Sequence, residues 1–159
     1  MRFPTDPSAP FILVATGTGL APFRAYLHHR IAAGQSLSPS VLIYGFRSAQ
    51  KDALYEKEMQ AWAEQGLTIH KVASRDREEA LGRRWYVQDE IKAQSATLGP
   101  LLLQAPTVCI CGNASQMPKA VQDAFVHVLA QTSSLDMEGA EQFIMHMKRD
   151  KKYQVEAWS

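Results

Sequence analysis

The chain has 159 residues, 46% of them hydrophobic and 21% charged, which is enough to bury one core without disulfide or metal support and shows no bias toward disorder or collagen-like repeats. A formal net charge of +1 excludes a global field that would draw the molecule onto nucleic acid or an anionic membrane, so any anion site must be local. No apolar run approaches the roughly 20 residues that span a bilayer, and the opening MRFPTDPSAP lacks a signal peptide's apolar core; the expected compartment is cytoplasmic.

In chain order, FILVAT (11–16) reads as a first buried strand. It runs into ATGTGLAPFR (15–24), and Phe23, Tyr26, Leu27 and Ile31 then keep a 3.6-residue period. VLIYGF (41–46) is a second strand, followed by a helix carrying Tyr55, Met59 and Trp62. LTIHKVAS (67–74) is a third strand, and a charged stretch, SRDREEALGRRWYVQ (74–88), follows it. Residues 86–106 have helical character interrupted at Gly99-Pro100, which predicts two short pieces. TVCICG (107–112) is a fourth strand, with Ser115 as the expected cap of the next helix. That helix carries an apolar stripe of Val121, Ala124, Phe125, Val128 and Leu129. A last helix, capped by Asp136, buries Ala140, Phe143, Ile144 and Met147, and KKYQVEAWS (151–159) closes the chain as a strand.

Alternating strands and helices at this spacing predict one α/β domain over residues 1–159: a doubly wound, mostly parallel five-stranded sheet with helices on both faces. Cys109 and Cys111 are two apart in a strand and share a face, which disfavours a disulfide. None of the five histidines stands at zinc-site spacing from them, so no metal is expected.

In parallel sheets ligands bind outside the carboxyl ends of the strands, so those ends carry the functional reading. At the first, Gly17 and Gly19 permit a sharp turn and close backbone approach, Thr18 adds a hydroxyl, and Pro22 suits the first turn of the following helix. The plainer alternative is a tight turn with no ligand. At the second, Arg47 stands where an NAD-binding fold would place a ribose-holding acid, and residues 7–51 contain no Asp or Glu at all. At the third, Ser74, Arg75, Arg77, Arg83, Arg84 and Tyr86 offer guanidiniums and hydroxyls suited to a 2′-phosphate. Pairing of those arginines with Asp76, Glu78 and Glu79 in a solvated loop is the alternative there. At the fourth stand Cys111, Gly112 and Asn113; as a free thiol Cys111 is equally well a small buried hydrophobe. The basic residues are interleaved with acids and lack an aromatic platform, which argues against nucleic acid.

Taken together, GTGLAPF, YGFR, SR followed by YVQ, CGNASQM and the terminal EAWS resemble the NADPH-binding module of the diflavin reductases, in the ferredoxin-NADP reductase superfamily. The likeness covers nearly the whole chain. YVQ, GNASQMP and KKYQVEAWS look most like the branch that feeds electrons to cytosolic iron-sulfur protein assembly, with the cytochrome P450 reductases next. The resemblance implies a ferredoxin reductase-like NADP-binding fold, NADPH as cofactor, and FAD and FMN on further domains of the same polypeptide. It also implies a protein electron acceptor such as an anamorsin-like iron-sulfur protein.

By that resemblance the Gly17-Thr18-Gly19 turn holds the pyrophosphate with Arg47 beside it. Ser74, Arg75, Arg84 and Tyr86 take the 2′-phosphate, Gln88 lies near the adenosine end, and Gly112, Asn113 and Met117 belong to the cofactor site. Cys111 borders the nicotinamide, Glu156 belongs to the hydride-transfer site, and Trp158 covers the flavin ring as a gate that must move aside. The sequence departs from the family at several points: Asn113 and Ala120 stand where many P450 reductases carry acids, Arg84 replaces a lysine, Glu156 replaces an aspartate, and EALG (79–82) lengthens the phosphate loop. The flavin domains should precede this segment, so the chain alone is expected to bind NADPH without turnover. A catalytically silent nucleotide-binding or interaction module that keeps the sheet is the alternative.

Overall fold

A computed structural model describes residues 1–47, 55–76 and 78–158; Arg77 and the Glu79 side chain, two of the loop charges named above, lie outside that set, as does Ser159. The five strands are β1 (Phe11–Thr16), β2 (Val41–Phe46), β3 (Thr68–Ala73), β4 (Thr107–Asn113) and β5 (Tyr153–Trp158). They form one sheet in the order β3-β2-β1-β4-β5, and every neighbouring pair is parallel. The expected sheet is therefore present and parallel throughout. Its three central strands are buried on both faces, which is why FILVAT, VLIYGF and TVCICG read as unbroken apolar runs. The edge strands β3 and β5 carry exposed positions.

Alternation along each strand sends neighbouring side chains to opposite cores. Phe11, Leu13, Ala15, Leu42, Tyr44, Cys109 and Cys111 meet Phe23 and Leu27 of α1 (Ala21–Ala32) and Met59 and Trp62 of α2 (Glu56–Glu64). Ile12, Val14, Val41, Ile43, Val108 and Ile110 face the other way. There they meet α4 (Val87–Ala93), α5 (Ser95–Leu103), α6 (Met117–Thr132) and α7 (Met137–Arg149). The two cysteines share a face, as their spacing requires, and both are free and buried. Burial pushes the Cys109 thiol up to about 12. Each fully buried large side chain, Trp62 and Phe125 among them, stabilises by about 1.5–3 kcal/mol.

The break in the 86–106 segment falls at Gln94, and Pro100 lies inside α5. Gln94 serves both helices, its N–H donating to Glu90 O (2.9 Å) and its carbonyl accepting from Leu98 N (2.9 Å). Pro100 forfeits one backbone bond, and Gly99 is the point where α5 presses on α6, an added Cβ there overlapping Thr132. Ser115 is not a cap; its N–H donates to Asn113 Oδ1 (2.9 Å), and Gln116 precedes α6. Asp136 caps α7 as expected, accepting from Gly139 N (2.7 Å).

The helices on the first face are braced by charge. Arg24 of α1 holds Glu58 of α2 through two bonds of 2.7 and 2.6 Å, and that contact pulls the Glu58 carboxyl below its ordinary range. Arg30 is buried and donates to Tyr26 Oη, Pro7 O and Ser36 O, fixing the segment that leads into β1. Among the described residues no helix is long and apolar enough to cross a membrane.

Candidate functional site

The strand order reverses at β1, which is flanked by β2 and β4, and such a switch point opens a crevice beyond the strand ends. Here the chain leaves β1 through a 3-10 turn, Gly17–Leu20, before α1 begins. Gly17 has φ +55°, a left-handed conformation that favours glycine. Gly19 is buried because the turn lies directly on β4; a Cβ on it would overlap the Cys111 carbonyl. Gly112 leaves room for the Thr16 side chain in the same way. Pro22 occupies the first turn of α1, where its missing N–H costs nothing.

At the ends of β2 and β3 the backbone is stitched together. Ser74 N donates to Phe46 O (2.9 Å), Arg75 N to Arg47 O (3.1 Å), and Trp85 N to Ser74 O (3.3 Å), so the charged stretch returns alongside its own beginning. The EALG segment contributes most of a short helix, α3 (Glu78–Leu81), ended by Gly82 at φ +70°. Asp89 accepts from Tyr86 N (2.9 Å), starting α4. Part of the internal pairing weighed from the sequence is present, since Arg84 Nε lies 3.6 Å from Glu78, while Arg83 pairs with Asp89 of α4, at 3.2 Å. A side-chain hydrogen bond with Tyr86, and then the charge of Glu78, hold the Arg84 pKa above its ordinary value. Arg47 and Arg75 form no ion pair with another described residue.

These ends converge on one open cleft of about 720 Å³, within the range of small-molecule and cofactor sites. Gly17 and Thr18 line it from the first end and Arg47 from the second. Ser74, Arg75, Arg84, Tyr86 and Gln88 line it from the third. Asn113 and Met117 come from the fourth, and Trp158, 42% exposed, from the end of β5. Four expected site residues do not line this cleft. Gly19 and Gly112 are buried and act through the close packing they permit. Cys111 is buried too, and desolvation, then the charge of Glu156, raises its thiol pKa. Glu156 is exposed on the edge strand, opposite Cys111 in the β4–β5 register.

Other walls of the cleft were not expected as site residues from the sequence: Thr16, Gly45, Phe46, Val72, Trp85, Val87, Ser115 and Gln116. Gly45 lies inside the second apolar run, one residue before its end, and a Cβ there would stand 2.7 Å from Val87 Cγ1; its place in a strand was the available signal. Two of the noted family departures, Asn113 and Ala120, both face the cleft. The Thr16 hydroxyl is buried without a hydrogen-bond partner among the described residues, a state that buried polar groups rarely keep unless a ligand or water completes them. The guanidiniums of Arg47 and Arg75, which form no ion pair among the described residues, the hydroxyls of Thr18 and Ser74 and the glycine turn fit a phosphorylated dinucleotide.

Fold and cleft together define a nucleotide-binding α/β domain of the doubly wound class. Residues 13–123 match the family described as oxidoreductase NAD-binding domain, and the chain belongs to that family, within it to the NADPH-binding domains of diflavin reductases. It is 34% identical to NADPH–cytochrome P450 reductase of Aspergillus oryzae, covering 99% of this chain and 23% of that protein. It is 37% identical to the sulfite reductase [NADPH] flavoprotein alpha-component of Mannheimia succiniciproducens, covering 99% and 26%. It is 38% identical to NADPH-dependent diflavin oxidoreductase 1 of Xenopus laevis, covering 100% and 26%. The chain thus spans about a quarter of the length of these relatives. Their names agree with NADPH as cofactor and with a flavoprotein context.

Proposed function

We propose that this domain binds NADPH in the cleft and presents it for hydride transfer to FAD on an adjoining domain of a diflavin reductase, from which electrons pass through FMN to a protein acceptor. The observation that carries the reading is the convergence of Ser74, Arg75, Arg84 and Tyr86 with the Gly17-Thr18 turn on one cavity. Arg75, which forms no ion pair among the described residues, and Ser74 supply the directed donors that a 2′-phosphate needs, and Arg84 with Tyr86 completes the grip. Thr18 and the backbone of the turn take the pyrophosphate, with Arg47 adding charge beside it. Gln88 sits toward the adenosine end and Asn113 and Met117 toward the nicotinamide end.

When bound, NADPH supplies the hydride. Trp158 lies at the mouth of the cleft on the edge strand, exposed and free to cover a flavin or swing away from it. Cys111 contributes a neutral thiol packed under the nicotinamide end, and Glu156 a carboxylate beside it on the solvent side. Transfer requires the flavin near contact with the nicotinamide, so the domain alone binds without turning over.

The acceptor is assigned to the anamorsin-like iron-sulfur class, and the compartment to the cytoplasm. Identities of 34% and 38% do not separate the P450 reductase and diflavin oxidoreductase relatives. The YVQ, GNASQMP and KKYQVEAWS motifs are what support this finer choice. Titration of the domain with both nucleotides tests the central reading. NADPH is expected to bind at least about tenfold more tightly than NADH, as lost charge-assisted hydrogen bonds require; equal affinities would remove the 2′-phosphate assignment.

A further inference from the structure

Below the rim of the cleft lies a carboxylate that the reading above does not use. Glu90 of α4 is only 7% exposed. Its Oε2 accepts the Trp85 indole N–H at 2.9 Å, its Oε1 accepts the Gln94 amide at 3.0 Å, and His70 Nδ1 of β3 lies 3.7 Å from that second oxygen. A carboxylate is costly to bury and persists where its oxygens are engaged. One of its partners is a residue of the cleft wall, Trp85, which lines the cavity.

Trp85 stands between Arg84 and Tyr86, two phosphate-loop residues with long, exposed side chains. Such side chains hold a position only as well as their backbone does, and ordering them on binding costs entropy. The backbone of residues 83–86 is fixed from α4 by two neighbouring acids. Asp89 takes the Tyr86 N–H and pairs with Arg83, whose guanidinium lies 5.3 Å from the centre of the Trp85 ring. Glu90 takes the indole from beneath. With the Trp85 N–H bonded to Ser74 O at 3.3 Å, the indole bond is a second anchor of the segment, on the side that faces α4.

We infer that Glu90 is a positioning residue for the phosphate grip. Through the Trp85 indole it holds the 83–86 segment so that Arg84 and Tyr86 face the cleft before the nucleotide arrives. The inference rests on the NADPH reading of the cleft and adds to it a source of coenzyme selectivity that touches no ligand atom.

The test compares Kd for NADPH and for NADH in Glu90→Leu, Glu90→Gln and Trp85→Phe variants of the chain. Glu90→Leu removes the acceptor and Trp85→Phe removes the donor while keeping a ring. Each is expected to weaken NADPH by about tenfold, leaving NADH within about twofold. The double variant should be no weaker than either single one, because both break the same bond. Glu90→Gln, which keeps an acceptor oxygen, should restore wild-type selectivity. If Glu90→Leu does not fold, Trp85→Phe and the glutamine variant decide the matter. Wild-type discrimination that survives both broken-bond variants overturns the positioning role and leaves the NADPH reading standing, and so does an equal loss for the two nucleotides. A wild-type chain that binds both nucleotides equally overturns the cleft reading, and this role with it.

Discussion

The glycine turn after β1 and the charged loop after β3 border the same cleft and are built on opposite principles. The turn is made by side chains that are absent: Gly19 and Gly112 let the backbone lie against β4 and the Thr16 side chain, and buried surface surrounds them. The loop is made by long side chains that are present and solvent-facing, Arg75, Arg84 and Tyr86, stitched to the strand ends by backbone bonds. On the proposed reading the first device would set where the dinucleotide lies and be insensitive to salt; the second would select among dinucleotides by charge and be screened like any exposed electrostatic contact.

The comparison breaks if substitutions in the two regions have the same signature. The largest effect is expected at the turn, where Gly19→Val forces a side chain into the Cys111 carbonyl. It should cost roughly 3 kcal/mol, seen as a Tm lower by roughly 6–12 °C, and should weaken NADPH and NADH together. An unchanged Tm would show that the turn does not rest on β4. Next, Arg75→Ala should leave Tm nearly unchanged and weaken NADPH by roughly 1.5–3 kcal/mol, with NADH spared. Parallel losses measured by calorimetry would place Arg75 in folding or general charge. The smallest effect is expected from Glu78→Gln, which releases Arg84 from its exposed ion pair: NADPH should bind about twofold more tightly at low ionic strength, and the gain should vanish in high salt. A gain that persisted in high salt would mean that the loop is not governed by screened charge.

Much of the fold was legible before any coordinates. Central strands buried on both faces write themselves as continuous apolar runs, and β1 and β2 fall where those runs do. The stripe of Val121, Ala124, Phe125, Val128 and Leu129 is buried as its period predicts. The helix break was misplaced because Gly99-Pro100 has the local chemistry of an interruption, whereas the position is occupied for a tertiary reason, the close approach of α5 to Thr132. Ser115 failed as a cap because α6 begins at Met117, which leaves Gln116 and not Ser115 at the capping position.

At the site, glycines, arginines and hydroxyls at strand ends announced themselves by residue type and position. Thr16 and Trp85 did not, since a threonine closing a strand and a tryptophan in a charged stretch look ordinary until the sheet places them on a cavity wall. Cys111 shows the converse, a residue prominent in the sequence whose thiol is packed beside the cavity and held neutral.

What the sequence determined by itself is the periodic part: strand and helix identities, the parallel α/β class, and the chemical types gathered at the strand ends. Each of those follows from short-range sterics and from the burial pattern along one element. Tertiary structure alone decided the order β3-β2-β1-β4-β5, the meeting of residues 16–18, 45–47, 74–75 and 84–88 around one cavity, and the bond from Glu90 to Trp85 beneath it. Those depend on contacts between segments far apart in the chain, whose partners are chosen by packing the whole molecule at once.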